Sequence, residues 1–252
     1  MGKNLLKIAI MQPTFNPWIG YFDLIDYVDK FIFFDTTQFI RREWQSRNSF
    51  KINDQKYMFT IPVLKTKRRD QLLIKDAQID LSQFDFKNKL KKLLELSYKK
   101  TPYFEEVHNF ILKNLHFDTI YLSKYNINLV TNISKKIGIE TKIVTLSETD
   151  FKSDRKKGEL ILDICKYFNA TDYISPVGAK GYLEHAKELF NKNNITITYQ
   201  NYHHPTYNQI GGEFISHIGV IDLLYNEGFK TAKDIVLQGR EYLTSLPTLN
   251  LN

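Results

Sequence analysis

Short apolar runs separated by polar loops set the rhythm of this chain. Lys7-Ile-Ala-Ile-Met11 stops at Pro13, and Phe31-Ile-Phe-Phe34 stops at Asp35. Such runs suit strands covered on both faces. Between them, Tyr21 to Val28 sets Phe22 and Ile25 against Asp23 and Asp26, the pattern of a short amphipathic helix. A strand follows at 57–63, with Pro62 marking its end or an edge position. Helices are expected near 84–98, 103–115 and 119–137, the last closed by Gly138 as a left-handed cap. The second half alternates again: strand 141–145, helix 158–168, strand 172–175, helix 182–191, strand 195–199, then helices near 216–225 and 231–239 and a frayed tail at 245–252. Alternation with short loops predicts an α/β fold with a mostly parallel, Rossmann-like sheet, flanking helices and a helix-rich middle insertion. Residues 1–252 read as one α/β domain, with the helical segment at about 83–138 as a subdomain. No internal repeat or low-complexity tract interrupts it.

Composition supports a folded globule. The chain has 252 residues, long enough to bury a core without metal or disulfide, and 18 Phe with 15 Tyr supply apolar area that disordered chains lack. Cys165 is the single cysteine, so an internal disulfide and a Cys-rich zinc site are excluded, and a reducing compartment, the cytoplasm, is expected. The apolar patch before Pro13 is too short for a signal-peptide core or a membrane span. A net charge of +7 suits an anionic partner. Much of it is Lys87, Lys89, Lys91, Lys92, Lys99 and Lys100, spaced as the solvated face of a helix.

Ligands in open α/β sheets bind beyond the carboxyl ends of the strands, so the loops there carry the candidate chemistry. The first, 12–20, offers Gln12, Thr14 and Asn16 with the rigidifying prolines Pro13 and Pro17, with Trp18, and Gly20 at a helix start where free N–H groups favour an anion. The bland alternative is a stiff turn whose Asn caps the helix. The second runs from Asp35 through Gln38 to Arg41-Arg-Glu-Trp-Gln-Ser-Arg-Asn48. Arg41, Arg42 and Arg47 suit phosphate or carboxylate forks and Trp44 suits stacking, against surface pairing with Asp35 or Glu43. The third is Ser175-Pro-Val-Gly-Ala-Lys180, with Gly178 and Lys180. The fourth, His203-His-Pro-Thr-Tyr-Asn-Gln209, joins imidazole, phenol and amide, and at most one of the two adjacent imidazoles is expected to act. No spaced His or carboxylate set suggests a metal, and Cys165 sits on the apolar side of a helix, as core.

Taken together, Gln12-Pro-Thr-Phe with Pro17-Trp-Ile-Gly-Tyr-Phe-Asp-Leu-Ile25, Asp35 with Gln38-Phe39, Trp44-Gln with Arg47-Asn48, Ser175 with Gly178 and Tyr182-Leu183, and His204-Pro with Tyr207 and Gln209 resemble the WbqC-like family across about residues 8–228. That resemblance implies work on an activated sugar in bacterial polysaccharide and O-antigen (lipopolysaccharide) biosynthesis. The expected reaction is amide formation, by acyl or aminoacyl transfer, on a nucleotide-linked amino sugar. His204, Asp35 and Tyr207 are the candidate catalytic groups. Gln12, Thr14, Asn16, Trp18, Tyr21, Gln38, Arg41, Arg42, Trp44, Arg47, Asn48, Ser175, Gly178, Lys180, Tyr182 and Gln209 are the candidate binding groups. The donor would be acyl-CoA or an acyl carrier protein. A fainter similarity ties Pro13-Thr-Phe-Asn-Pro17 with Gly20-Tyr21 to nucleotidylyltransferases and pantothenate synthetases, with Lys180 as a phosphate contact. It implies ATP-dependent adenylate chemistry, but Tyr21 stands where those enzymes place a histidine and cannot carry positive charge to a phosphate. A third reading, a basic nucleic-acid-binding module, explains the charge but finds no helix-turn-helix, zinc finger or aromatic platform.

Overall fold

A computed structural model describes residues 5–65 and 71–244, with the side chain of Tyr182 excepted. Six strands form one sheet in the order β5-β2-β1-β6-β7-β8, where β1 is Lys7–Met11, β2 Lys30–Phe33, β5 Lys142–Thr145, β6 Asp172–Pro176, β7 Thr196–Gln200 and β8 Tyr242–Leu243. The first five are parallel, and β8 pairs antiparallel with β7 at the edge. The fold is therefore α/β with a mostly parallel sheet. From β1 the chain steps to β2 and β5 on one side, then crosses to β6 and β7 on the other. The reversal falls between β1 and β6, where such sheets open a crevice.

The apolar runs become strands because both sheet faces are covered. Ala9, Phe31, Phe33 and Ile174 face a core shared with α1 (Ile19–Tyr27), α2 (Phe86–Tyr98), α3 (Phe104–Leu115), α4 (Leu122–Lys136) and α8 (Val220–Gln238). Ile8, Ile10, Ile32, Tyr173 and Ile197 face a second core closed by α5 (Lys157–Tyr167), the single turn α6 (Lys180–Leu183) and α7 (Lys187–Lys192). Period-two alternation thus splits each strand between two cores. The middle helices share the first core with α1 and α8. Helix α2 buries Phe86, Leu90, Leu94 and Tyr98, and Asp85 caps its start by accepting from the Asn88 N–H at 3.0 Å. Cys165 lies buried in the second core, where desolvation pushes its thiol up.

Boundaries differ from the sequence expectation at a hairpin and at the helix expected over 182–191, which is instead the single turn α6 and the short α7. Arg47–Ile52 forms a strand, β3, paired with β4 (Gln55–Thr60) in a separate hairpin, with Asn53 and Asp54 in the left-handed conformations of a tight turn. The expected strand at 57–63 is β4, shifted toward the turn. The two terminal helices expected near 216–225 and 231–239 abut within α8, which is broken by the non-helical Gly228 (φ 74°), where a Cβ would meet the Tyr103 ring at 2.7 Å. Gly138 does close α4 in the left-handed region. The tail at 245–252 lies outside the described residues. Among the described residues no helix is long and apolar enough to cross a membrane.

Candidate functional site

The loop 201–219, leaving the carboxyl end of β7, folds back over the loop leaving β1 and meets it at Trp18. His204 stacks on the Trp18 indole with centroids 6.1 Å apart, and His217 stacks on it at 5.1 Å. The two imidazoles are 4.8 Å apart, and Phe214 and Tyr207 close in on His204 at 5.8 and 6.4 Å. Nδ1 of His204 lies 2.8 Å from the Pro205 carbonyl. A carbonyl only accepts, so Nδ1 carries the proton and Nε2 of the neutral ring keeps a lone pair. Burial lowers the pKa of His204, with the nearby His217 adding to the effect against the Pro205 hydrogen bond. The ring is a neutral base at neutral pH. His217 is lowered too, by burial and then by Lys56, and holds a left-handed backbone (φ 56°) that costs on the order of 1 kcal/mol.

A buried carboxylate fixes this loop. Asp222, in the first turn of α8, is fully buried and accepts from Tyr207 Oη at 2.8 Å and Gln209 Nε2 at 2.7 Å. The Gln209 Oε1 atom accepts from the Ile215 N–H at 2.8 Å, cinching the loop on itself. Burial raises the pKa of Asp222 against hydrogen bonds from Gln209, Tyr207 and Tyr98 and the charge of Lys51. Lys51 is buried in β3, its ammonium donating to the Glu213 carbonyl at 2.8 Å. Tyr207 is thereby a neutral phenol whose proton is committed to Asp222, which makes it a support for His204 rather than a proton carrier.

The arginine segment lines a different space. Arg41, Arg42 and Lys65 stand around a cavity of about 680 Å³ floored by Phe39, Ile61 and Leu72, with Gln38 also on its wall and no carboxylate among its described lining residues. Arg41 Nη2 donates to the Leu64 carbonyl at 3.2 Å. Trp44 stands exposed, and Arg47 keeps a buried Nε with no partner among the described residues. The loop 12–18 joins the two regions. Gln12 Oε1 accepts from Gln45 Nε2 at 2.5 Å at one end, and Trp18 meets the imidazoles at the other. Seven residues span at most about 25 Å. The imidazole cluster and the arginine cavity are thus two sites flanking that loop.

Several expected ligand contacts are committed to the fold. Asn16 is fully buried and caps α8, not α1, by accepting from the Ile221 N–H at 3.2 Å. Asn48 donates to the Phe15 carbonyl at 3.0 Å. Tyr21 is buried with its hydroxyl on the Gln12 carbonyl at 2.9 Å, and desolvation raises its pKa. The indole of Trp18 lies so close over Gly20 that a Cβ there would be 2.4 Å from it, covering the helix start expected to hold an anion. Thr14 is half-buried with its hydroxyl on the Gln12 carbonyl at 3.2 Å. Ser175 is buried at the end of β6, whereas Gly178 is exposed and Lys180 half-buried beyond it. The side chain of Tyr182 lies outside the described residues. Asp35 is buried, and its carboxylate accepts from Ser147 Oγ at 2.5 Å and from the Ser147 N–H at 3.0 Å. His203 is exposed and pairs with Glu241 at 2.8 Å, so of the two adjacent histidines His204 is the one enclosed. His217, Asp222 and Lys51 were missed. The only sequence signal for them is Asp222 itself, a lone carboxylate in the apolar run Val220-Ile-Asp-Leu-Leu224. Among the described residues no group of three or more His, Cys, Asp or Glu could hold a metal.

Similarity to known proteins agrees with this layout in extent. The chain is 31% identical over 227 residues to "Uncharacterized protein Rv1507c" of Mycobacterium tuberculosis (strain ATCC 25618 / H37Rv), covering 88% of this chain and 94% of that protein. No solved structure matches it. Residues 12–234, which contain the Trp18 cluster, the arginine cavity and Asp222, match one family throughout, and the chain belongs to the WbqC-like protein family.

Proposed function

We propose that the protein is a transferase that forms an amide on the amine of a nucleotide-linked amino sugar in bacterial surface polysaccharide biosynthesis. The observation that carries the reading is His204: an enclosed imidazole, neutral at pH 7, with Nδ1–H spent on the Pro205 carbonyl and Nε2 free to take a proton. The neutral amine attacks the carbonyl carbon of an acyl or aminoacyl thioester, carried on coenzyme A or on an acyl carrier protein. The C–N bond forms, the C–S bond breaks, the amine proton passes to Nε2, and the thiolate leaves as a thiol once protonated. Arg41, Arg42 and Lys65 hold the diphosphate over the apolar floor of their cavity, where guanidinium forks match phosphate oxygens.

Adenylate chemistry draws no support from the first loop, because Tyr21 is buried against the Gln12 carbonyl. Incubating the protein with UDP- and dTDP-amino sugars and a panel of acyl-CoA and acyl-carrier donors, followed by mass spectrometry, tests the proposal. One acyl mass added to the sugar, without ATP, is the expected result. No gain with any pair, or a gain that requires ATP with pyrophosphate release, would overturn it.

A further inference from the structure

Beyond the carboxyl ends of β2 and β5 lies a second cavity of about 430 Å³, remote in lining residues from both the imidazoles and the arginines. One wall is Asp35, Thr145 and Ser147, and the other is the outward side of α4. Hydrogen-bond accounting fixes what these walls offer. The Asp35 carboxylate accepts both the N–H and the Oγ–H of Ser147, so the one hydroxyl proton of Ser147 points inward and the Oγ lone pairs face out. Asn132 spends its amide protons on Asn114 Oδ1 at 2.6 Å and Asn128 Oδ1 at 3.1 Å, leaving its own Oδ1 as an acceptor. The acceptors on Ser147 and Asn132, among hydroxyls of Thr131 and Thr145 that can donate or accept, suit a ligand rich in hydroxyls. Lys75, Lys124 and Lys135 line the cavity at exposed positions against one exposed carboxylate, Glu148, since Asp35 is 2% exposed, and Lys124 Nζ also lies 5.5 Å from the Tyr121 ring centroid. That imbalance selects an anion.

We infer that this cavity binds a phosphorylated polyol, with Ser147 and Asn132 accepting from its hydroxyls and Lys124 and Lys135 pairing with its phosphate. The end of β2 is where open α/β sheets commonly hold the ribose diol of a nucleotide. The same chemistry is offered by a sugar 1-phosphate. The inference is independent of amide transfer, and it gives Asp35 a positioning role: it orients the Ser147 hydroxyl.

Calorimetric titration of the full chain with UMP, dUMP, glucose 1-phosphate and inorganic phosphate tests it. Either UMP or glucose 1-phosphate is expected to bind at least tenfold more tightly than inorganic phosphate. Preference for UMP over dUMP identifies a ribonucleotide, and binding of glucose 1-phosphate alone identifies a sugar phosphate. The double variant Lys124→Gln/Lys135→Gln, at exposed positions that leave the core intact, is expected to weaken binding at least tenfold. Ser147→Ala is expected to erase the margin over inorganic phosphate. The inference is overturned by absence of binding, by equal affinity for all four probes, or by binding that survives the lysine changes and is lost in Arg41→Gln/Arg42→Gln.

Discussion

Two fully buried carboxylates sit on neighbouring helices of the same core, and they are satisfied in opposite ways. Asp23, on α1, faces a guanidinium: Arg240 Nε is 2.7 Å from Oδ1, while Tyr242 Oη and Gln200 Nε2 donate to Oδ2 at 2.7 and 2.9 Å. Arg240 also reaches Asp26 at 2.7 Å, and Lys233 meets Asp26 at 2.8 Å. Asp222, on α8, has only neutral donors within hydrogen-bonding distance, Tyr207 and Gln209 both on Oδ2. The first arrangement cross-links α1, β7, the end of α8 and β8. The second holds one loop, the loop that carries His204 and His217. A buried charge with a matched counter-charge is expected where nothing should move, and a buried carboxylate held by neutral partners is expected where a loop is tuned for chemistry.

The largest separation between the two regions is expected in turnover. His204→Gln keeps a polar side chain but removes the base, and amide formation should fall about 10²–10⁴-fold while unfolding in urea stays within about 1 kcal/mol of the parent. Arg240→Ala should do the reverse. It strands Asp23 without its counter-charge, and because Arg240 is 28% exposed the loss of stability should lie near the low end for a broken buried pair, about 3 kcal/mol. Turnover per folded molecule should not change. Equal losses of turnover in both variants would erase the distinction.

Asp222→Ala leaves Tyr207 and Gln209 without their acceptor and should cost about 2 kcal/mol, with faster proteolysis inside the loop 201–219 than elsewhere. Asp222→Asn is the finer probe. Burial raises the folded pKa of Asp222 above its unfolded value, so the stability its protonated form supplies is complete below the unfolded pKa and lost as pH rises through the folded one. The parent's stability relative to Asp222→Asn should therefore fall as pH rises above the ordinary carboxylate range. A difference independent of pH would show that the site does not titrate with folding. His204 carries the opposite sign: its lowered pKa gives stability present above the unfolded value and lost as pH falls through the folded one. The acid limb of the rate profile should accordingly lie below the usual imidazole pKa, and should vanish with the residual activity of His204→Gln.

The sheet was legible in the sequence because its strands are covered on both faces, so that runs such as Lys7–Met11 are apolar at nearly every position. The hairpin was not. Arg47, Asn48 and Lys51 read as a polar surface segment, yet Asn48 and Lys51 are buried by partners 33 and 162 residues away, the carbonyls of Phe15 and Glu213. Local pattern carries no information about such partners. The same limit governs the site. His204, Tyr207 and Gln209 are close in sequence and could be read as one loop. His217 and Asp222 join them only because Trp18 and α8 close over the loop, and Asp35 looked like a base because nothing local reveals Ser147 hydrogen-bonded to it. Asn16 was identified as a possible cap, but the helix it caps begins 204 residues later, at Val220.

The central claim is that His204 rests as a neutral base with its proton on Nδ1. Nitrogen-15 chemical shifts of its imidazole, followed from pH 4 to pH 9 and assigned by comparison with His204→Gln, test this directly. The structure predicts the Nδ1–H tautomer at pH 7 and a midpoint below that of an ordinary histidine. A ring protonated at Nε2, or one still charged at pH 7, would contradict it.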